Sequence, residues 1–424
     1  MNNLHILITR HYDLDSSHFT NIWLDSILPE LSKFFIVKIT WFCYYYEKSP
    51  ISSKETDDEI IQIQEFDNAM DVIEKIKPDL IIDNEFPTLI DLAFFVASRN
   101  NVAFIRKWKN VREIKASFKN TVLGFNSIFD SNVYADKNDN NKFMKRGRFF
   151  LRKYIFFINT IMKSKISFSE KLTFFLISIK WHLRPDDPFT HPKLQSDLEL
   201  LNAEWLVPFL TKRGYVNTKL VVTGLPDLDS IIKKTKMNSS VKSEKRLKIL
   251  FAPTQIYEGK IYEKIKHETI KNIIQKITQH KNQFTLSVKL HPTSQNFEEY
   301  QKIIHEIDDS IEIFQKGDLE KFVIESDLVI SYGFTSAFVY PFVAKKPVIL
   351  CNFYDMEFVD NFEDILFYCK NPDKLVETVL IAHQTNFEKY DSIGKYLEQC
   401  NYKFDGLSSM RIVNAIKQLI LQKK

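Results

Sequence analysis

The stretch SDLVISYGFTSAFVYPFVAKKPVILCNFYD, Ser326–Asp355, decides the architecture. Leu328–Ser331 is a short apolar run, and Pro347–Cys351 is a second one. Between them lie a turn, Ser331-Tyr332-Gly333, and a stretch from about Thr335 to Ala344 with helical spacing. A strand that is apolar at every position is buried on both faces, and a helix between two such strands makes them parallel. The expectation is therefore a strand–helix–strand unit of a covered parallel sheet.

The same rhythm extends upstream. Leu247–Phe251 reads as a strand, Tyr262–Ile277 as a helix, and Phe284–Leu290 as a strand. A helix follows from about Phe297, then a strand at Ile311–Phe314 and a helix at Leu319–Glu325. This predicts a doubly wound domain. Before it, KMNSSVKSEKR at Lys236–Arg246 has linker composition and marks a domain boundary.

The first third alternates in the same way. Strands are expected at His5–Thr9, Phe35–Trp41, Asp79–Ile82 and Val102–Ile105, with helices at about Phe19–Leu31 and Asp71–Lys77. Ser196–Arg213 reads as helical with Gly214 as its C-cap, and Lys219–Val222 as a strand. The chain thus divides into an N-terminal Rossmann-like domain over 1–140 and a helical insertion over 141–190. Residues 191–240 return to the first domain, 241–405 form the second, and 406–424 form a C-terminal helix.

The insertion has its own composition. Lys142 to Lys180 carries ten Lys/Arg and one acidic residue, Glu170, interleaved with aromatic and aliphatic residues at helical spacing. Two readings follow. One is a helix pair lying on an anionic membrane surface. The other is a helical layer packed on the sheet with its charges solvated. Nucleic acid is not indicated, because no binding motif accompanies the patch and the formal net charge is only +4.

With 44% hydrophobic and 26% charged residues the composition is globular. Cys43, Cys351, Cys369 and Cys400 have neither metal-ligand nor CxxC spacing, which suits thiols in a reducing compartment. The start, MNNLHILITRHYD, lacks the pattern of a secretory signal, so a cytoplasmic protein is expected.

In open α/β sheets, ligands bind beyond the carboxyl ends of strands. The second domain has three polar clusters at such positions: Thr254 and Gln255, His291 and Pro292, and Ser331, Tyr332, Gly333, Thr335 and Ser336. A helix N-terminus beginning near Thr335 would present free N–H groups to a phosphate, and Gly333 would let the backbone approach it. The simpler reading of Thr335 and Ser336 is N-capping. The His291 imidazole could donate to a phosphate or protonate a leaving group. If the chemistry is direct attack on a bound group, a base is needed from the first domain: His11, Asp13 and Asp15 follow its first strand, with Asp83, Glu85 and His18 as alternatives. For each of these, a solvated loop charge is the competing reading.

The ordered set of motifs resembles a known group. Ser326–Asp355 is similar to the nucleotide-donor segment of GT-B transferases, and above all to the CDP-glycerol glycerophosphotransferases and the capsule-polysaccharide and sialyl- or Kdo-transferase-like proteins. VKLHP at Val288–Pro292, KLVVTGLPDLD at Lys219–Asp229 and FDGLSSMRIVNAI at Phe404–Ile416 resemble further elements of that group. The resemblance spans about Asn202–Leu419 and extends distantly to UDP-N-acetylglucosamine 2-epimerases.

It implies an α/β, GT-B-like fold of two Rossmann-like doubly wound domains facing a cleft, with the basic helical insertion added. It further implies a nucleotide-activated donor held by His291, by the Ser331–Ser336 turn and by Thr254. Asp355 would lie near the transferred group, and Gly224 would shape a turn. The donor is a substrate, of CMP, CDP or UDP type, and neither a cofactor nor a metal is called for. The acceptor would be a surface glycan or a lipid-linked molecule, with the enzyme peripheral on the inner face of the membrane.

Departures from the pattern are Leu225 where the turn motif usually has Asn, and the missing Glu-rich helix of the epimerases. An epimerase-like isomerase and a non-catalytic scaffold of glycan assembly are the alternatives.

Overall fold

The computed structural model describes residues 2–10, 22–44, 58–83, 88–99, 102–108, 140–183, 191–237, 246–253, 260–290, 297–315, 317–332, 338–354, 364–385 and 390–423. In chain order the first elements are β1 (Asn2–Arg10), α1 (Ile22–Leu31), β2 (Phe35–Cys43), β3 (Glu59–Gln62), α2 (Ala69–Ile76), β4 (Leu80–Ile82), α3 (Leu89–Ser98) and β5 (Ala103–Trp108). Next come α4 (Asn140–Lys163), α5 (Phe168–Leu183), β6 (Leu198–Leu201), α6 (Leu206–Thr211), β7 (Leu220–Val222) and α7 (Asp229–Met237). Then follow β8 (Leu247–Phe251), α8 (Lys260–Thr278), β9 (Phe284–Lys289), α9 (Phe297–His305), β10 (Glu312–Phe314), α10 (Leu319–Glu325) and β11 (Leu328–Ser331). The last are α11 (Val339–Val343), β12 (Val348–Cys351), β13 (Phe367–Cys369), α12 (Leu375–Gln384), α13 (Tyr390–Cys400) and α14 (Ser408–Lys423).

The chain forms two compact units. The first comprises Met1–Pro226, Gln399–Lys403 and Leu407–Lys424, and the second Asp227–Glu398 and Phe404–Gly406. Among the described residues, the first holds a seven-stranded sheet in the order β3-β2-β1-β4-β5-β6-β7 and the second a six-stranded sheet in the order β10-β9-β8-β11-β12-β13. Every pairing is parallel. In each sheet the winding reverses once, between β1 and β4 in the first and between β8 and β11 in the second. These are the two Rossmann-like units of a GT-B fold.

One expectation fails. Ser196–Arg213 is not one helix: Leu198–Leu201 is strand β6, and only Leu206–Thr211 is helical. The run LELL fits either period, and pairing with β5 and β7 settles it. β3, β13 and helices α12 and α13 were not expected at all. The linker segment 238–245 lies outside the described residues.

The first sheet is covered on both faces. On one face Leu7, Ile81 and Phe104 pack with Phe94 of α3, Phe156, Phe157 and Ile161 of α4, and Phe174 of α5. On the other, Leu4, Ile6 and Ile8 pack with Leu24 and Ile27 of α1 and with Ile412, Val413 and Ile416 of α14. The C-terminal helix therefore belongs to the first unit's core. Its Lys423 Nζ donates to Asp197 Oδ2 at 2.8 Å and to the Val102 carbonyl at 3.2 Å.

The basic insertion is two-faced. Its inner stripe is buried in the first unit, and several of its cations serve that packing: Arg152 donates to the Phe66 carbonyl at 2.7 Å, and Lys163 binds Asp71. Lys153 is half-buried over the Tyr44 ring, and desolvation lowers its pKa to about 8 against the opposing charge of Asp91. The outer face carries Leu151, Ile155 and Met162 from α4, and Phe168, Leu172, Phe175 and Leu176 from α5, all exposed. Among the described residues no helix is long and apolar enough to cross a membrane.

Candidate active site

In the second unit, β9, β8 and β11 are adjacent and parallel, so their carboxyl ends share one edge, centred on the point where the winding reverses. Thr254 and Gln255 come after β8, His291 and Pro292 after β9, Gly333, Thr335 and Ser336 after β11, and Asp355 after β12. The topology thus starts these four segments from neighbouring strands. All eight of these residues lie outside the described residues.

The residues just before them are described, and they hold the strand ends together. Ala252, after β8, donates its N–H to the Ile330 carbonyl at 2.9 Å and accepts from Ser331 Oγ at 2.8 Å. Ser331 is fully buried, so this bond ties two loop bases together. Tyr332 is buried too, with its hydroxyl 3.4 Å from that of Tyr300, and burial pushes its pKa up. Of the turn Ser331–Ser336, the first two side chains therefore face the core.

Lys289 does for β9 what Ser331 does for β11. Its buried Nζ donates to the Leu290 carbonyl at 2.9 Å and the Gln315 carbonyl at 2.8 Å, directly before His291. Burial lowers its pKa, with Asp318 opposing. The sequence reading passed over Lys289; the only trace of it was a cation inside the apolar run FTLSVKL.

Gly224 belongs to the first unit. Its φ of +85° is a left-handed conformation, and a Cβ there would lie 2.6 Å from Ser408 Oγ and 2.7 Å from Asn401 Oδ1. Asn401 Oδ1 accepts from Leu225 N at 2.6 Å, and Arg411 Nη1 donates to the Thr223 carbonyl at 2.9 Å. Gly224 thus shapes a turn that is clamped by the returning C-terminal segment.

At the carboxyl end of the first sheet a polar layer replaces the apolar one. Thr9, Asp83 and Arg106 sit two residues beyond Leu7, Ile81 and Phe104, on the same face, and Glu199 is in register with Arg106. Arg106 Nε donates to Asp83 Oδ2 at 3.0 Å. Trp108 Nε1 donates to Glu199 Oε2 at 2.5 Å, and Ser196 N to Glu199 Oε1 at 2.6 Å. On α3, Asp91 accepts from Thr9 Oγ1 at 2.5 Å and, through its other oxygen, from Thr88 N at 2.8 Å and Thr88 Oγ1 at 2.9 Å.

Burial raises Asp83 to about 7, with Arg106 opposing, and raises Asp91 to about 6, with the Thr9 hydrogen bond opposing. Asp83 is 1% exposed, so the solvated-loop reading of this residue is wrong. Arg106, Glu199 and Asp91 escaped the sequence reading. The sign of the first two was a charge inside a strand run, AFIRKW and LELL. His11, Asp13, Asp15, His18 and Glu85 lie outside the described residues.

Residues 202–418, just over half of the chain, match the model of a family described as CDP-glycerol:poly(glycerophosphate) glycerophosphotransferase. The chain belongs to that family. It is accordingly a transferase that uses a nucleotide-activated donor, and the matched region includes β8–β12.

Solved structures are similar in fold. CalG4, the calicheamicin glycosyltransferase, matches with a TM-score of 0.55 at 10% identity, covering 100% of this chain and 99% of that one. The wall teichoic acid polymerase TagF matches with a TM-score of 0.52 at 12% identity, covering 98% and 89%. UDP-GlcNAc 2-epimerase from Methanocaldococcus jannaschii matches with a TM-score of 0.50 at 13% identity, covering 98% and 100%. No curated protein sequence matches the chain.

Proposed function

We propose that the chain transfers a glycerol phosphate unit from CDP-glycerol to a polyol-phosphate or lipid-linked acceptor, as a step in building a surface polymer such as a capsule. The family match over the donor-side strands carries this reading. In the reaction an acceptor hydroxyl oxygen bonds to the phosphorus that bears glycerol, the bond from that phosphorus to the bridging oxygen breaks, and CMP leaves. The acceptor hydroxyl loses its proton to a base.

His291, which follows β9 and Lys289 in the sequence, is assigned to the donor phosphates, where it stabilises or protonates the leaving CMP. Thr254, Gln255, Pro292, Gly333, Thr335 and Ser336 line the donor phosphates, and Asp355 the transferred group. Ser331 and Tyr332 support this site from below, and Gly224 sets a turn. His11, Asp13 and Asp15 remain the acceptor-side base candidates.

A thermal-shift panel of CMP, CDP, UDP and GDP tests the donor assignment. Stabilisation by the cytidine nucleotides, reduced about tenfold in apparent affinity by His291→Ala, is expected. Stabilisation by UDP alone would favour the epimerase-like alternative.

The acceptor is assigned to a membrane surface because of the outer face of α4 and α5. Leu151, Ile155 and Met162 recur at intervals of four and seven, and Phe168, Leu172 and Phe175/Leu176 at four and three or four, so each helix has one apolar stripe. Phe168 is 80% exposed and Met162 69%, with Lys163, Lys165 and Lys171 beside them. An apolar stripe rimmed by cations suits an anionic bilayer. Flotation with vesicles of one-third phosphatidylglycerol is expected to carry the protein. The Phe168→Ser/Leu172→Ser/Leu176→Ser variant should lose at least tenfold in vesicle affinity with unchanged melting; equal binding would refute the assignment.

A further inference from the structure

Lys289 carries a charge that its hydrogen bonds do not require. It is 4% exposed, at the last position of β9, and its Nζ donates to the carbonyls of Leu290 and Gln315, the residues that directly follow β9 and β10. Both acceptors are neutral. Among the described residues Lys289 makes no ion pair. The carboxylate whose charge acts on it, Asp318, is exposed and caps α10 by accepting from Glu320 N at 3.0 Å. An amide side chain could donate to a carbonyl here without the cost of burying an ammonium. What lysine adds at this place is a positive field.

The placement says which anion that field serves. Nζ lies at the carboxyl edge of the second sheet, between the ends of β9 and β10. β9 is next to β8, and β8 and β11 flank the reversal of winding beyond which ligands of doubly wound sheets sit. From the gap between β10 and β9 to the gap between β8 and β11 is two strand spacings, roughly 10 Å. At that range a charge needs no contact with its partner. With an effective dielectric constant of about 20, the attraction between two unit charges changes affinity on the order of tenfold. A buried charge is also screened less by salt than an exposed one.

We propose that Lys289 is a fixed positive charge that strengthens binding of the donor's phosphates across this edge without touching them. The proposal rests on the nucleotide-donor reading, and it adds a source of affinity that depends on ligand charge. The uncharged nucleoside part of the donor gains nothing from it.

A ladder of ligand charge tests the role. The methyl ester of CMP, CMP itself and CDP carry about one, two and three negative charges at pH 8. Their dissociation constants are measured by calorimetry for the full chain, for Lys289→Gln and for Lys289→Met, without added divalent cations. Glutamine keeps an N–H donor for a carbonyl and methionine keeps none, while neither keeps the charge. Both variants should lose about tenfold in affinity for the methyl ester, and progressively more for CMP and CDP. 

Equal losses for the three ligands, or a loss confined to Lys289→Met, would overturn the proposal and leave Lys289 as a tie between two carbonyls. That failure is separable from failure of the donor reading. Binding of none of the three by the unaltered chain would overturn the donor reading, and the role of Lys289 with it.

Discussion

Arg106→Met is expected to destabilise the first unit by about 3–5 kcal/mol, the usual cost of removing one partner from a buried ion pair. The guanidinium is the cation bonded to Asp83, and it lies in register beside Glu199, so its removal leaves buried carboxylates uncompensated. Methionine keeps the volume, which separates loss of charge from loss of packing.

The loss should also depend on pH. Asp83 is already raised from 3.8 to about 7 by burial, with Arg106 opposing. A carboxyl raised on folding favours the folded state fully below its unfolded pKa, and that contribution is lost as pH climbs toward the folded pKa. Without Arg106 the folded pKa of Asp83 rises further, so ionising it costs more. Arg106→Met should therefore be closer to wild type at pH 5.5 than at pH 8, as measured by urea unfolding at both values. A variant loss that is equal or larger at pH 5.5 would contradict the electrostatic account.

Phe156→Ala is expected to cost about 3–5 kcal/mol, the range for truncating a buried aromatic. Phe156 is fully buried, with its ring centroid 5.7 Å from that of Phe42 on β2 and 6.1 Å from that of Phe94 on α3. The inner stripe of α4 is thus part of the sheet's own covering layer. Leu151→Ala, on the outer stripe of the same helix, should change stability by less than about 0.5 kcal/mol, as exposed sites do. The pair of denaturation midpoints checks this: equal losses would mean that the two faces of α4 are not distinguished as the structure has them.

The two faces also explain why the sequence left the insertion open between membrane and core. Aromatic and aliphatic residues occur on both faces of α4, so density of apolar residues could not say which stripe turned inward. The neighbours decide it: Phe42 and Phe94 meet Phe156, whereas Phe168 is left exposed. The parallel strands were easier to read. LVIS and VILC are short runs, apolar but for Ser331, and are bounded by turn residues, which suits strands buried on both faces. LELL was misread because four residues do not distinguish a period of 2 from one of 3.6.

The candidate site was legible only as positions after strands. Strand order then put Thr254, His291 and the Ser331–Ser336 turn after neighbours in one sheet. What escaped were charges whose meaning depends on burial. Arg106 and Lys289 stand in strand runs where a cation ordinarily points to solvent, and only tertiary structure shows one paired with Asp83 and the other holding two carbonyls. The reverse error befell Asp83, whose place in a loop suggested solvation.

The central claim is transfer from a cytidine-activated glycerol phosphate donor, and CMP release tests it most directly. Purified protein is incubated with CDP-glycerol and a lipid-linked glycerol phosphate primer in vesicles, and CMP is quantified by chromatography. The account predicts primer-dependent release of CMP with matching lengthening of the primer, and a loss of at least 100-fold in His291→Ala, consistent with removing a group that acts in the transition state. Absence of CMP release with any primer, or release undiminished in His291→Ala, would contradict it.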